Sequence, residues 1–330
     1  MKTKNHRSAL YPYRCGAFVF LTALLIGADR LPYVGVDALS AATRPGQAVV
    51  GSGASDYPLL QQPQPRTTQL DDAAVETLVR WSDDLSYGVG NSAPPGTTYL
   101  LLVPTVRPEA TTSPQVLRGV IELCARSFTN PVIGIGIRGP VPDSYIQLVA
   151  ELADLVEVKV VPLQEQPPRA LPLPDGLLST NYELPQALVQ ADAVILVPAL
   201  WRDQAGRVFG ALETLGAAAS AAALSDSLRV DLLGAVEPLY VFADALRPAL
   251  GGEIAPLNAR LAGDDIGAVD AVGAQLLGAS PAQVPGLLLV GEHMLGKVEW
   301  AEIKLNGAPV PGVPQGAQPF EGPAGPQRSQ

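Results

Sequence analysis

A chain of 330 residues that is 47% hydrophobic and only 16% charged carries enough apolar material for one large α/β domain or two small ones. Its formal net charge of −10 opposes a phosphate backbone, whose recognition needs a basic face for counterion release, so no nucleic-acid partner is expected. Two cysteines, Cys15 and Cys124, and two histidines, His6 and His293, are too few for a disulfide framework, an iron–sulfur cluster or a histidine-rich zinc site. No cofactor is expected, and a carboxylate-held Mg²⁺ or other divalent metal is the cation chemistry left open.

The chain opens on Lys2, Lys4, His6, Arg7 and Arg14, followed by an apolar run over residues 17–28. That is the order of a secretory leader, and Asp29-Arg30 ends the run short of a comfortable bilayer span. Residues 1–42 are therefore read as a signal peptide or signal anchor, with Ala38-Leu39-Ser40-Ala41-Ala42 as a cleavage zone. The expected location is extracytoplasmic, with the membrane touched only through this segment. Residues 43–69, with Pro45, Pro58, Pro63 and Pro65, read as a linker, and the folded domain is expected over 70–308.

Asp71 and Asp72 precede apolar residues Ala74, Val75, Leu78, Val79 and Trp81, spaced as one face of a helix. Thr98-Tyr99-Leu100-Leu101-Leu102-Val103, stopped by Pro104, has the continuous apolar character of a strand buried on both faces. Thr111-Thr112-Ser113-Pro114 then caps a helix with Pro at its first position. Val132-Ile133-Gly134-Ile135 predicts the second strand, residues 145–155 the second helix and 156–161 the third strand.

The prolines between 162 and 178 predict a surface excursion or the join of two lobes. Beyond them come a helix over 184–189, the strand Ala193-Val194-Ile195-Leu196-Val197-Pro198, a helix over 209–223 and the strand Leu239-Tyr240-Val241-Phe242-Ala243-Asp244. Asp264-Asp265 cap a helix over 269–277, closed by Gly278. Residues 309–330 are rich in Pro and Gly with little to bury, so a disordered tail is expected. The alternation predicts an α/β fold, a mostly parallel sheet sandwiched by helices.

Open α/β sheets place ligands at the carboxyl ends of their strands, which selects Thr105, Arg107, Trp201, Arg202 and Asp203 as candidate ligand-binding residues. Arg202 could grip a carboxylate or phosphate and Trp201 could stack on a flat ligand, against the alternative of an ordinary polar loop. Asp244, Asp270 and His293 are the candidate catalytic groups, as base, metal ligand or general acid. Capping is the competing explanation for Asp264 and Asp270, and a structural role the competing one for His293. Gly134, Gly136 and Gly139 fit GxGxxG after a strand, a weak phosphate-turn signal because Pro140 and Pro142 stand where the helix should start. Cys124, on the apolar side of its helix, is expected to be a small core residue.

From about residue 70 to 309, three strings resemble the family catalogued as domain of unknown function 362 (DUF362). They are Ala110-Thr111-Thr112-Ser113-Pro114-Gln115-Val116-Leu117-Arg118, Ala191-Asp192-Ala193-Val194-Ile195-Leu196-Val197-Pro198 and Gly263-Asp264-Asp265-Ile266-Gly267-Ala268-Val269-Asp270-Ala271-Val272. The resemblance also exposes departures. Where the family usually carries Lys-Pro-Asn this chain has Val103-Pro104-Thr105, and where it carries Gly-Ala-Leu-Lys-Asn this chain has Gly210-Ala211-Leu212-Glu213-Thr214. A Lys and a Thr-His pair expected after Pro198 are replaced within Ala199-Leu200-Trp201-Arg202-Asp203. Many relatives carry or accompany ferredoxin-like domains, for which this chain lacks the cysteines.

The resemblance thus implies a degenerate member, a non-catalytic binding or scaffold protein whose partner is a small anionic ligand or another protein. The alternative is an enzyme with a remodelled strand-end site using carboxylates and a divalent metal, or a redox-associated subunit.

Overall fold

The computed structural model describes residues 33–38, 89–220, 225–250, 253–254, 257 and 259–307, all within the unit Pro32–Gln330. The linker, the helix over 74–81 and the tail lie outside the described residues, as does most of the leader.

The central sheet has eight strands: β1 Tyr33–Ala38, β2 Tyr99–Pro104, β3 Val132–Ile137, β4 Glu157–Pro162, β7 Ala193–Val197, β10 Tyr240–Ala245, β13 Ala259–Gly263 and β14 Lys304–Gly307. Their order is β14-β1-β13-β10-β7-β2-β3-β4. The run from β10 to β4 is parallel throughout. β13 runs against both of its neighbours, while β1 and β14 are parallel to each other, so the expectation of a mostly parallel sheet holds with one reversed strand.

The continuous apolar runs serve two cores at once. Leu100, Leu102, Ile133, Ile135 and Phe242 face one layer, while Leu101, Val103, Val194, Leu196 and Val241 face the other. Because successive side chains alternate across a strand, a sheet covered on both faces needs apolar residues at every position. The first layer is closed by α1 Pro114–Ser127 and α2 Asp143–Leu152. The second is closed by α4 Ala211–Ala219, α5 Asp226–Val236, α6 Ile266–Leu276 and α7 Pro285–Glu292, with the short α3 Gln186–Gln190 at its side.

The caps follow the sequence rules. Ser113 Oγ accepts from Val116 N–H with Pro114 at the first helical turn. At α6 it is Asp265 whose carboxylate accepts from Ala268 N–H. Gly278, at φ +74°, takes the left-handed turn after that helix.

The proline-rich excursion is a hairpin, β5 Pro168–Pro172 against β6 Asn181–Pro185, so residues 184 and 185 are strand rather than helix. A second small sheet, in the order β12-β11-β8-β9, is built from β8 Trp201–Arg202, β9 Val208–Phe209, β11 Ala249–Leu250 and β12 Glu253–Ile254. It carries the loops that follow β7 and β10.

Candidate functional site

Strand order reverses beside β2: the chain moves outward through β3 and β4, then returns to lay β7 and β10 on the other side. Open α/β sheets form their ligand crevice at such a point, at the carboxyl ends of the strands. A shallow, solvent-open cleft lies there, its enclosed part only about 30 Å³, lined by Val103 to Arg107 at and beyond the end of β2, Gly136 of β3 and Arg138 just past it, Trp201 after β7, and Glu213, Thr214, Ala217 and Ala218 of α4. Of the candidate residues, Thr105, Arg107, Trp201 and Gly136 meet at this cleft.

The floor of the crevice is laced shut by hydroxyls. Thr112 Oγ1 donates to Val197 O at 2.6 Å and accepts from Thr105 N–H at 3.1 Å, tying the ends of β2 and β7. Ala199 N–H donates to Thr105 Oγ1 at 3.1 Å, which stands 2.6 Å from Thr214 Oγ1. Thr214 Oγ1 in turn donates to Gly210 O at 2.9 Å. Since the Thr214 proton is committed to that carbonyl, the Thr105 hydroxyl is the donor between the two threonines. All three threonine side chains are buried and each of their hydroxyls has a hydrogen-bond partner.

At the rim, Arg107 Nη2 donates to Glu213 Oε1 at 2.7 Å, and Arg229 Nε stands 2.6 Å from Glu213 Oε2. Arg229 reaches Asp226 as well, at 2.8 Å. Arg138 donates to the carbonyls of Ala218 and Ala219, both at 3.1 Å, where the end of α4 collects partial negative charge. Trp201 stacks on Phe209 with ring centroids 3.8 Å apart, so one face of the indole is already covered.

The remaining candidates are placed elsewhere. Arg202 donates to Leu277 O, and Asp203 is bound to Arg207. Asp244, buried at the end of β10, accepts from Ser113 N–H at 2.7 Å and Leu246 N–H at 3.0 Å, and its burial pushes its pKa upward. Asp270, in the first turn and a half of α6, accepts from Ala211 N–H at 2.7 Å and Leu212 N–H at 2.9 Å. Burial pushes this carboxyl up to about 6 although both amides pull it down. Asp270 is thus the cap of α4 rather than of its own helix. His293 ends α7, exposed, and is not part of the cleft.

Gly134 and Gly136 lie inside β3, not in a turn. A Cβ at Gly134 would stand 2.8 Å from the Tyr99 hydroxyl and 3.0 Å from Val161 Cγ2, so that glycine is fitted to close packing. Gly139, at φ +110°, is a true turn glycine, and α2 begins four residues later with no side-chain cap. Cys124 is buried in the core, with its thiol pushed up to about 12 by burial. Among the described residues, no group of three His, Cys, Asp or Glu side chains is placed to hold a metal ion.

Thr112, Arg138, Thr214 and Arg229 were not among the candidate site residues read from the sequence. Arg138 carries a readable signal, a lone cation directly after an apolar strand; Thr112 and Thr214 stood only within a capping string and a replaced family string, and nothing marked Arg229.

The family departures acquire a location. Val103, Thr105, Trp201, Glu213 and Thr214, which stand in the replaced strings, all line the one cleft. Thr105 and Thr214, which stand where the resemblance puts amides, are a hydrogen-bonded pair, and Glu213, which stands where it puts a Lys, is held by two arginines. No curated protein matches the chain. The family model described as Domain of unknown function (DUF362) matches residues 102–275, which contain every cleft residue and more than half of the sequence, and the chain belongs to that family.

Proposed function

We propose that this protein is a non-catalytic binding or scaffold member of the family, held outside the cytoplasm by its N-terminal leader, with the ancestral strand-end site converted into a structural joint. One observation carries the reading: the groups at the crevice of the sheet hold one another. The Thr112–Thr105–Thr214 chain occupies its floor, and Arg107, Glu213 and Arg229 neutralise one another at its rim. A catalytic site keeps a reactive group poised against an open position, whereas Asp244 and Asp270 spend both carboxylate oxygens on backbone amides.

Native mass spectrometry of the protein purified from its host, with calorimetric titration of inorganic phosphate and Mg²⁺, tests this. The expected result is a mass accounted for by polypeptide alone, with no bound small molecule or metal, and no saturable heat. A retained small molecule or metal that is lost on Arg138→Ala would overturn it in favour of the second reading, an enzyme or redox-associated subunit with a remodelled site. That reading draws on the Arg107, Arg138 and Trp201 side chains that still border the cleft.

A further inference from the structure

β4 closes one end of the central sheet: β3 pairs with it on one side, and among the described residues no strand pairs with it on the other. Such an edge presents a row of free backbone donors and acceptors, the template for another strand. Its side chains alternate. Lys159 and Val161 lie opposite Gly134 and Gly136 on one face, with Glu157 in phase with them, while Val158 and Val160 pack toward the α1–α2 layer.

α2 overhangs this same edge. Arg118 of α1 is ion-paired with Glu151, which fixes the flank of α2 that faces its neighbour helix, and Tyr145, Leu148 and Leu152 point into the core. At 100° per residue the opposite flank, turned away from α1, carries Ile146, Val149, Ala150 and Ala153, an i, i+3, i+4, i+7 stripe. Ile146 is 55% exposed, and Leu155, in the turn leading to β4, is 57% exposed. An open strand edge and an uncovered apolar helix flank therefore sit side by side.

We infer that a second copy of this chain docks here, pairing β4 with β4 antiparallel about a two-fold axis. The edge is complementary to itself. With Val158 opposite Val158, Glu157 falls opposite Lys159 of the second copy and Lys159 opposite its Glu157, two opposite-charge cross-strand pairs generated by one register. The same operation sets Val156 opposite Val160 on the other face and brings the Ile146 stripes of the two helices together over the joint. An unrelated partner would have no reason to meet a charge pattern that is the complement of its own reversal. The two eight-stranded sheets become continuous, and the crevice lies at the strand ends, outside the joint. This inference stands whether or not the crevice binds a ligand.

Sedimentation equilibrium of the full-length chain tests it. The chain is expected to be dimeric, and Ile146→Arg, an exposed change that the fold should absorb, is expected to yield the monomer. Glu157→Lys or Lys159→Glu alone sets like charges opposite each other twice and should raise the dimer dissociation constant about tenfold or more. The double variant Glu157→Lys with Lys159→Glu recreates both pairs in the swapped sense and should restore the wild-type constant. A monomeric wild-type chain at micromolar concentration overturns the proposal. So does a dimer indifferent to the single reversals, or one that the double variant fails to restore.

Discussion

Asp270 and Gly210 form one device although sixty positions separate them. A helix leaves its first amide donors without partners, and α4 meets this need with a carboxylate from α6 rather than with its own preceding residue, because Gly210 has no side chain to offer. The glycine is required for clearance: a Cβ there would stand 2.4 Å from Asp270 Oδ1. Gly210→Ala is therefore expected to cost about 2 kcal/mol, read as a lower urea midpoint at unchanged slope.

The carboxylate also sets a pH dependence. Its folded pKa, about 6, lies above the ordinary 3.8, so the folded state holds this proton more tightly than the unfolded chain does. The associated stability is complete below the ordinary carboxyl range and is lost as pH rises through about 6. Asp270→Asn should flatten the stability profile over that window, and a slope that persists unchanged would place its origin in another group. In the crevice, Thr105→Val strands Ala199 N–H in a buried site and should cost about 1–3 kcal/mol in the same assay.

The ion-pair chain Arg107–Glu213–Arg229 links three elements: the end of β2, the start of α4 and the first turn of α5. Replacing Glu213 by the lysine usual in the family would set three cations together. Glu213→Lys is expected to destabilise by about 2 kcal/mol, less than a fully buried pair would lose because Arg107 keeps a third of its side-chain surface in water. Calorimetric melting would register the loss.

Legibility in the sequence followed the physics of each element. β2 and β7 were readable because two-faced burial forces every position to be apolar and a proline marks each end. α1 was readable from its cap. β13 was not, since Arg260 stands at the second position of a five-residue strand of small side chains and breaks any apolar run. The hairpin β5–β6 was hidden by its prolines, and α5 by a buried Asp231 that interrupts the apolar face. That aspartate accepts from Leu177 N–H, Leu178 N–H and the Tyr182 hydroxyl, a long-range anchorage with no local signature. The crevice was legible as a place, through strand ends, but not as one whose floor and rim groups are already bonded to one another. The partners that engage those groups, Thr112, Thr214 and Arg229, come from helices and caps far apart in the chain.

At the scale of the whole molecule, the sheet depends on a strand from the segment that reads as a leader. β1 lies between β13 and β14, antiparallel to one and parallel to the other, with Val34 opposite Gly263 and Tyr33 opposite Lys304. Processing within residues 38–42 would remove this strand, leaving the outer edge of β13 bare and the four residues of β14 with no neighbour. Unpaired backbone groups and a lone short strand are not sustained in a packed sheet. Any processing of the chain should therefore fall ahead of Tyr33, and N-terminal sequencing with intact-mass measurement of the protein purified from its host will read this directly. A chain starting at Pro32 should melt as the full-length protein does. One starting at residue 43 should lose thermal stability and gain rapid amide exchange through β13 and β14, because the bonds that β1 supplies have no substitute elsewhere in the sheet.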